Sequence, residues 1–130
     1  MRILVDSSVW IDYFKSGANS SSLDPLLDEN LIVTNDVILA ELLPFLQVKN
    51  QSRIIHLLGT IEKLPLRIEW NEIITFQTKC LQAGINGLGI PDLLIAQNAR
   101  QNQCWIYSLD KHFQLLNRVV SVNLLGFRLN

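Results

Sequence analysis

The feature that most constrains the fold is a set of short apolar runs separated by helical patterns. Residues 3–5 (ILV), 31–33 (LIV) and 105–107 (WIY) are such runs, and none contains a charge. A short continuous apolar run is typical of a strand buried on both faces of a parallel sheet. Between the runs, apolar residues recur at helical spacing, as in residues 53–61 and 70–83. The alternation predicts an α/β sandwich around a mainly parallel sheet.

Capping and breaking residues predict further boundaries. Asn35 or Asp36 can cap the helix that follows the second run. Pro44 comes soon afterwards and is expected to end or bend that helix. Pro65 limits a brief strand over residues 64–68 to the edge of the sheet, because proline has no N–H for an inner strand.

Length and composition indicate a single domain over residues 1–130. The chain has 48% apolar and 18% charged residues, a globular composition. Residues 16–22 (SGANSSS) are the only linker-like stretch and are expected to form a loop between helices. A last strand is expected over residues 119–125. No apolar run approaches the roughly 20 residues of a membrane helix, and an acid interrupts the first run too early for a signal peptide. We therefore expect a cytoplasmic protein without a membrane contact.

Charge and cysteine spacing argue against two kinds of site. The net charge of -1 is unusual for a protein that binds nucleic acid mainly through its own field. Any contact with RNA would therefore be local and bridged by metal. Cys80 and Cys104 lack the paired spacing of a zinc site, so we expect two buried thiols.

Four of the twelve acidic residues have unusual neighbours. Asp6 and Asp110 each follow a predicted strand, and the carboxyl ends of parallel strands face the functional crevice. Glu41 lies within residues 37–46, which are apolar on nearly every face, and Asp92 opens an apolar helix. Each also has a simpler explanation: helix caps for Asp6 and Asp110, a thin polar seam for Glu41, and the helix dipole for Asp92.

Together the four acids suggest one pocket built around a cation. Like charges a few ångströms apart repel strongly, and a bound cation would offset that repulsion. Ligands that are all oxygen select hard ions such as Mg²⁺ or Mn²⁺. The chemistry that fits such a site is the hydrolysis of a phosphodiester bond.

The four acids lie in four segments with recognisable patterns. These are residues 3–12 (ILVDSSVWID), 34–42 (TNDVILAEL), 89–96 (GIPDLLIA) and 107–113 (YSLDKHF). In this order and at these separations they resemble the motifs of the PIN-domain family, and more narrowly of VapC-type toxins from bacterial toxin–antitoxin pairs. The resemblance spans nearly the whole chain and implies a PIN-like three-layer sandwich with helices on both sides of the sheet.

The resemblance also implies residue roles and partners. Four acids would bind metal and form the catalytic centre: Asp6, Glu41, Asp92 and Asp110. Ser7 would lend a hydroxyl or backbone contact near the metal, and Ser108 would support the fourth acid. Family members are single-strand-directed endoribonucleases that need Mg²⁺ or Mn²⁺. They commonly form homodimers and are silenced by a cognate antitoxin protein.

Basic residues near the motifs are candidates for holding RNA. They are Lys15, Arg100, Lys111 and His112; for the first three, ordinary surface charge is the favoured explanation. His112 stands where many relatives carry a further acid. It would either weaken a second metal site or bring a cationic group to the phosphate.

Two other functions remain open at this stage. Asp6 could be a phosphorylated nucleophile, but the dehalogenase-like phosphatases need an acid two residues later, where Ser8 stands. Receiver-like domains need a late lysine that is not evident here. Alternatively, the chain could be a PIN-fold binding module with little or no catalytic activity that acts through a protein partner. The intact set of four acids favours the nuclease.

Overall fold

The computed structural model describes residues 1–125 and contains alternating strands and helices. The strands are β1 (Ile3–Val5), β2 (Ile32–Thr34), β3 (Glu62–Lys63), β4 (Trp105–Tyr107) and β5 (Asn123–Leu124). The helices are α1 (Ser7–Lys15), α2 (Leu23–Asp28), α3 (Asp36–Val48), α4 (Ser52–Gly59), α5 (Trp70–Gln82), α6 (Ile90–Gln101) and α7 (His112–Leu116).

The five strands form one sheet in the order β3-β2-β1-β4-β5, and every pair of neighbours among them is parallel. β1 lies at the centre, with Leu4 opposite Val33 of β2 and Ile106 of β4. All carboxyl ends of the strands therefore lie at the same edge of the sheet. Asp6 follows β1 directly at this edge.

Helices cover both faces of the sheet, so the predicted three-layer α/β sandwich is confirmed. The side chains of β1 alternate between the layers: Ile3 and Val5 pack against α1 to α4, while Leu4 packs against α5 to α7. All three are fully buried, which explains why this strand reads as a continuous apolar run.

Three boundaries differ from those expected. α3 does not end at Pro44 but continues to Val48. Pro44 and Ala40 are both exposed, so the Ala40 carbonyl that loses its helical partner can bind water. Leu42 and Leu46 are fully buried and hold the helix on either side of the proline.

The edge strand lies at Glu62–Lys63 rather than at residues 64–68. The Leu64 N–H still donates to the Thr34 carbonyl at 2.8 Å, and pairing stops at Pro65. Both strand residues are exposed, so no apolar pattern marks them.

The last strand is shorter than the expected 119–125 and covers only Asn123–Leu124. Val119 and Val120 instead extend the turn after α7, because their N–H groups donate to the Leu116 carbonyl. Residues 126–130 of the chain lie outside the described residues.

Two other expectations, the cap of α3 and the burial of both thiols, were confirmed. Asn35 caps α3 by accepting a hydrogen bond from the Ile38 N–H at 2.9 Å. Cys80 and Cys104 are buried free thiols. Within residues 1–125, no helix is long and apolar enough to cross a membrane.

Candidate active site

Asp6 anchors the site at the carboxyl end of β1. Its N–H donates to the Tyr107 carbonyl at 2.9 Å, which continues the pairing of β1 with β4 by one residue. Its side chain is only 6% exposed. Oδ2 accepts two hydrogen bonds, from Ser8 Oγ at 2.8 Å and from Ser108 Oγ at 2.9 Å. These bonds fix the direction of a carboxylate that would otherwise be costly to bury.

Ser8 is the residue of this group that the sequence analysis did not assign. Besides donating to Asp6, its Oγ accepts a hydrogen bond from the Leu109 N–H at 3.1 Å. It therefore ties the start of α1 to the loop after β4. The hydroxyl of Ser7, the serine selected from the resemblance, has no hydrogen bond within residues 1–125. A serine two residues after an aspartate can reach back to the carboxylate, and this spacing was the available signal.

Ser108 connects Asp6 to the fourth acid. Its Oγ accepts a hydrogen bond from the Asp110 N–H at 3.0 Å while donating to Asp6. Asp110 in turn accepts from the His112 N–H through Oδ1 at 3.1 Å, at the beginning of α7. The loop after β4 is thus held in shape by side-chain bonds to its own backbone.

Asp92 lies in the first turn of α6, where the helix dipole favours negative charge. Oδ2 accepts a hydrogen bond from the Gly89 N–H at 3.2 Å. The side chain is 19% exposed. Burial raises the pKa of Asp92, opposed by the Gly89 N–H and by His112, while Asp6 and Asp110 raise it further.

Glu41 lies on α3 and faces the other acids. It is solvent-exposed, so the expectation that an apolar helix buries it was wrong; the apolar residues Ile38 and Leu42 occupy the buried face. The protein on one side nevertheless raises the pKa of Glu41 by desolvation, and three neighbouring charges add to this rise: Asp6, Asp92 and Asp110. The four acids therefore act on one another electrostatically, although they come from four separate segments.

His112 lies between two of these acids. Its Nδ1 is 3.3 Å from Asp92 Oδ2 and 3.4 Å from Asp110 Oδ2. The imidazole therefore contacts two of the carboxylates that would hold a metal.

The donor set suits a hard divalent cation. It consists of carboxylate oxygens whose mutual repulsion a cation would remove, with serine hydroxyls orienting Asp6. Among residues 1–125, however, no three histidine, cysteine, aspartate or glutamate side chains are grouped tightly enough to hold a metal. The serines orient Asp6, and His112 contacts Asp92 and Asp110, so binding would require these side chains to turn toward the ion.

Of the four candidate RNA-binding residues, His112 contacts the acids, whereas no contact joins the other three to them within residues 1–125. Lys15 lies at the end of α1 with Nζ 5.8 Å from the centre of the Phe45 ring. Arg100 lies eight residues beyond Asp92, about 12 Å along the axis of α6. Its guanidinium donates to the Ser121 carbonyl and lies over the Phe76 ring. Lys111 is exposed and adjoins Asp110 in sequence, so it is the lysine nearest the acids along the chain.

Comparison with known families and structures gives a consistent result. The model of the PIN domain family matches residues 3–119. No curated protein matches the chain.

Several solved structures share the fold. One is VapBC2 from Rickettsia felis, bound to a fragment of its promoter DNA. It has a TM-score of 0.75 at 21% identity, and the match covers 96% of this chain and 98% of that one. VapBC-1 from nontypeable Haemophilus influenzae has a TM-score of 0.74 at 18% identity, covering 98% and 99%. VapC20 from Mycobacterium tuberculosis, a sarcin-ricin loop cleaving toxin, has a TM-score of 0.63 at 16% identity, covering 93% and 98%.

Proposed function

Since the chain belongs to the PIN domain family, we propose that it is a divalent-metal-dependent endoribonuclease that hydrolyses phosphodiester bonds in RNA. We propose further that it is a VapC-type toxin of a toxin–antitoxin pair. Solved structures with the same fold include VapBC proteins and a toxin that cleaves the sarcin-ricin loop, and they support both proposals.

One observation carries the proposal: carboxylates from four separate segments share one electrostatic environment at the carboxyl edge of the sheet. The pKa of Glu41 is raised first by desolvation from the protein on one side and then by the charges of three acids: Asp6, Asp92 and Asp110. An arrangement that costs free energy in the metal-free protein is expected where a cation is to bind. If the four acids had only a structural role, nothing would offset this unfavourable free energy.

In the proposed enzyme, three acids would hold the metal: Asp6, Asp92 and Asp110. Bound Mg²⁺, for which Mn²⁺ can substitute, would supply activation of water and offset the charge that develops on the scissile phosphate. Glu41 completes the ligand set or orients the attacking water. Its raised pKa suits the transient acceptance of a proton from that water at a carboxylate oxygen.

The remaining residues position these acids and the substrate. Ser8 and Ser108 keep Asp6 pointing in one direction through hydrogen bonds to Oδ2. Lys111 is the preferred cation for contact with the RNA backbone, because it adjoins Asp110 and has an exposed side chain. Lys15 is retained as a more distant contact, whereas the bonds of Arg100 to Ser121 and Phe76 favour a structural role.

The proposal extends to the domain organisation of the chain and to its partners. We propose one PIN-like domain over residues 1–130, a homodimer, a cognate antitoxin protein, and action in the cytoplasm. The likeness to VapBC complexes supports the antitoxin. Mass measurement in solution tests the dimer. Co-purification with the product of a neighbouring small reading frame tests the antitoxin.

The direct test of the enzymatic proposal is cleavage of RNA by purified protein. A panel of structured and single-stranded RNAs is incubated with Mg²⁺, with Mn²⁺ and with EDTA. Internal cleavage that requires the metal is expected. Cleavage that persists in EDTA, or no cleavage of any RNA, would contradict the proposal.

The contacts of His112 favour a second candidate. Because its Nδ1 lies within 3.4 Å of Asp92 and Asp110, it competes with a metal for those carboxylates. This favours a PIN-fold binding module with little or no catalytic activity that acts through a protein partner. Tight binding of an antitoxin without metal-dependent cleavage would support this alternative.

A further inference from the structure

Two buried amide side chains join the helices that carry Glu41 and Asp92. The Nδ2 of Asn35 donates a hydrogen bond to the Oδ1 of Asn98 at 2.8 Å, although the residues are 63 positions apart. Asn35 is 0% exposed and Asn98 is 2% exposed. Buried amides are costly unless their polar atoms are paired, and this contact pairs a donor of one amide with an acceptor of the other.

The remaining atoms of the pair are also bonded, and this fixes the direction of both amides. Asn35 Oδ1 accepts from the Ile38 N–H at 2.9 Å, and Asn98 Nδ2 donates to the Pro65 carbonyl at 3.0 Å. If either amide turned over, a donor would face a donor or an acceptor would face an acceptor. The two side chains therefore interlock in a single arrangement.

The position of the pair relates it to the acids. Asn35 is the N-cap of α3, six residues before Glu41, and Asn98 lies on α6, six residues after Asp92. Each amide is thus about 9 Å along a helix axis from an acid. α3 packs mainly on one face of the sheet and α6 on the other, so the pair crosses the edge of the sheet between the layers.

We propose that Asn35 and Asn98 are positioning residues for the metal site, which hold α3 and α6 at the separation that Glu41 and Asp92 need to share one cation. This inference rests on the proposed metal-dependent function. It predicts that breaking the pair weakens metal binding even when both helices remain folded.

Gln97 provides a matched control on the same helix. It is a buried amide that bonds to the backbone of Glu69 and to the side chain of Glu72. Those partners lie at the start of α5, which carries none of the four acids. Loss of Gln97 should therefore reduce stability without changing the separation of α3 and α6.

The experiment titrates metal-free protein with Mn²⁺ and measures free Mn²⁺ by electron paramagnetic resonance. In parallel, thermal unfolding in EDTA measures the stability of each variant. Asn35→Ser keeps an N-cap acceptor but loses the donor to Asn98. We expect Asn35→Ser and Asn98→Ser each to weaken Mn²⁺ binding about tenfold, the low end for outer partners of metal ligands. Gln97→Ser should stay within about twofold of the unaltered protein, a bound set by the independence of separate sites. The double variant Asn35→Ser/Asn98→Ser should bind no worse than either single variant, because the link is already broken.

Several results would overturn the inference. Three of them concern Mn²⁺ affinity: no change in either single variant, an equal loss of affinity in Gln97→Ser, or additive losses in the double variant. The fourth is failure of both single variants to fold, which would indicate a role in global stability. If the unaltered protein bound no Mn²⁺, the proposed function would fail together with the inference. If it bound Mn²⁺ and only the variants behaved unexpectedly, the proposed function would stand.

Discussion

Ser8 donates a hydrogen bond from Oγ to the Oδ2 of Asp6 at 2.8 Å, two residues back along the chain. The same hydroxyl accepts from the Leu109 N–H, so one side chain orients the acid of β1 and holds the loop after β4. The resemblance implied a role near the metal for Ser7, and the structure adds Ser8 as the serine whose hydroxyl orients Asp6.

The first prediction compares these two serines. Ser8→Ala removes both hydrogen bonds and should lower the free energy of unfolding by about 1–2 kcal/mol. It should also weaken Mn²⁺ binding, because Asp6 is then free to rotate. Ser7→Ala should change stability by less than about 0.5 kcal/mol. Urea unfolding and Mn²⁺ titration of both variants measure the difference; equal effects of the two substitutions would show that Ser8 has no special role.

The second prediction concerns Glu41 and pH in the metal-free protein. Burial, followed by the charges of Asp6, Asp92 and Asp110, raises the pKa of Glu41. A carboxyl with a raised pKa contributes stability below its unfolded pKa and loses it as the pH rises through the folded pKa. Glu41→Gln should therefore raise the melting temperature at pH 7 by roughly 1–3 °C, a small shift because the side chain is exposed.

That gain should disappear below about pH 4, where Glu41 is protonated in both the folded and unfolded states. Glu29→Gln is the control, since Glu29 is exposed at the end of α2 and outside the site. Thermal unfolding in EDTA across this pH range provides the measurement. A Glu41→Gln variant that melts lower than the unaltered protein at pH 7 would contradict the electrostatic account.

The third prediction concerns His112, whose Nδ1 lies close to both Asp92 and Asp110. His112→Ala should free these carboxylates and strengthen Mn²⁺ binding about two- to fivefold, because a partly exposed polar contact is worth at most about 1 kcal/mol. Gln114→Ala, an exposed change on the same helix, should leave the affinity unchanged. Weaker binding by His112→Ala would indicate instead that the imidazole supports the site.

The fold was largely predictable because its central strands carry a local signal. Ile3, Leu4 and Val5 are buried on both faces and therefore form an uninterrupted apolar run. The edge strand Glu62–Lys63 is exposed, and its pairing depends on a neighbouring strand rather than on its own sequence. Pro44 shows the same limit, since burial of residues on both sides of it outweighs its tendency to break a helix.

The four segments that carry the acids can be recognised in the sequence, whereas the contacts of their side chains cannot. Asp6 and Asp110 follow strands in sequence, so the parallel sheet brings them to one edge. The bond between Asn35 and Asn98 joins residues 63 positions apart, and only the packing of α3 near α6 creates it. Likewise, Arg100 and Asp92 both lie on α6 but are eight residues apart. Helix geometry therefore places them about two turns apart along the axis.

Asp92→Asn tests most directly whether the four acids form the active centre of a metal-dependent nuclease. Asparagine keeps an acceptor for the Gly89 N–H but removes the negative charge. Asp28→Asn is the matched control, because Asp28 is exposed at the end of α2. Rates of RNA cleavage are measured with Mn²⁺ for folded samples of the unaltered protein and of both variants. The account predicts that Asp28→Asn cleaves at the unaltered rate and that Asp92→Asn is slower by at least about 100-fold. Cleavage by Asp92→Asn at the rate of the unaltered protein would contradict it.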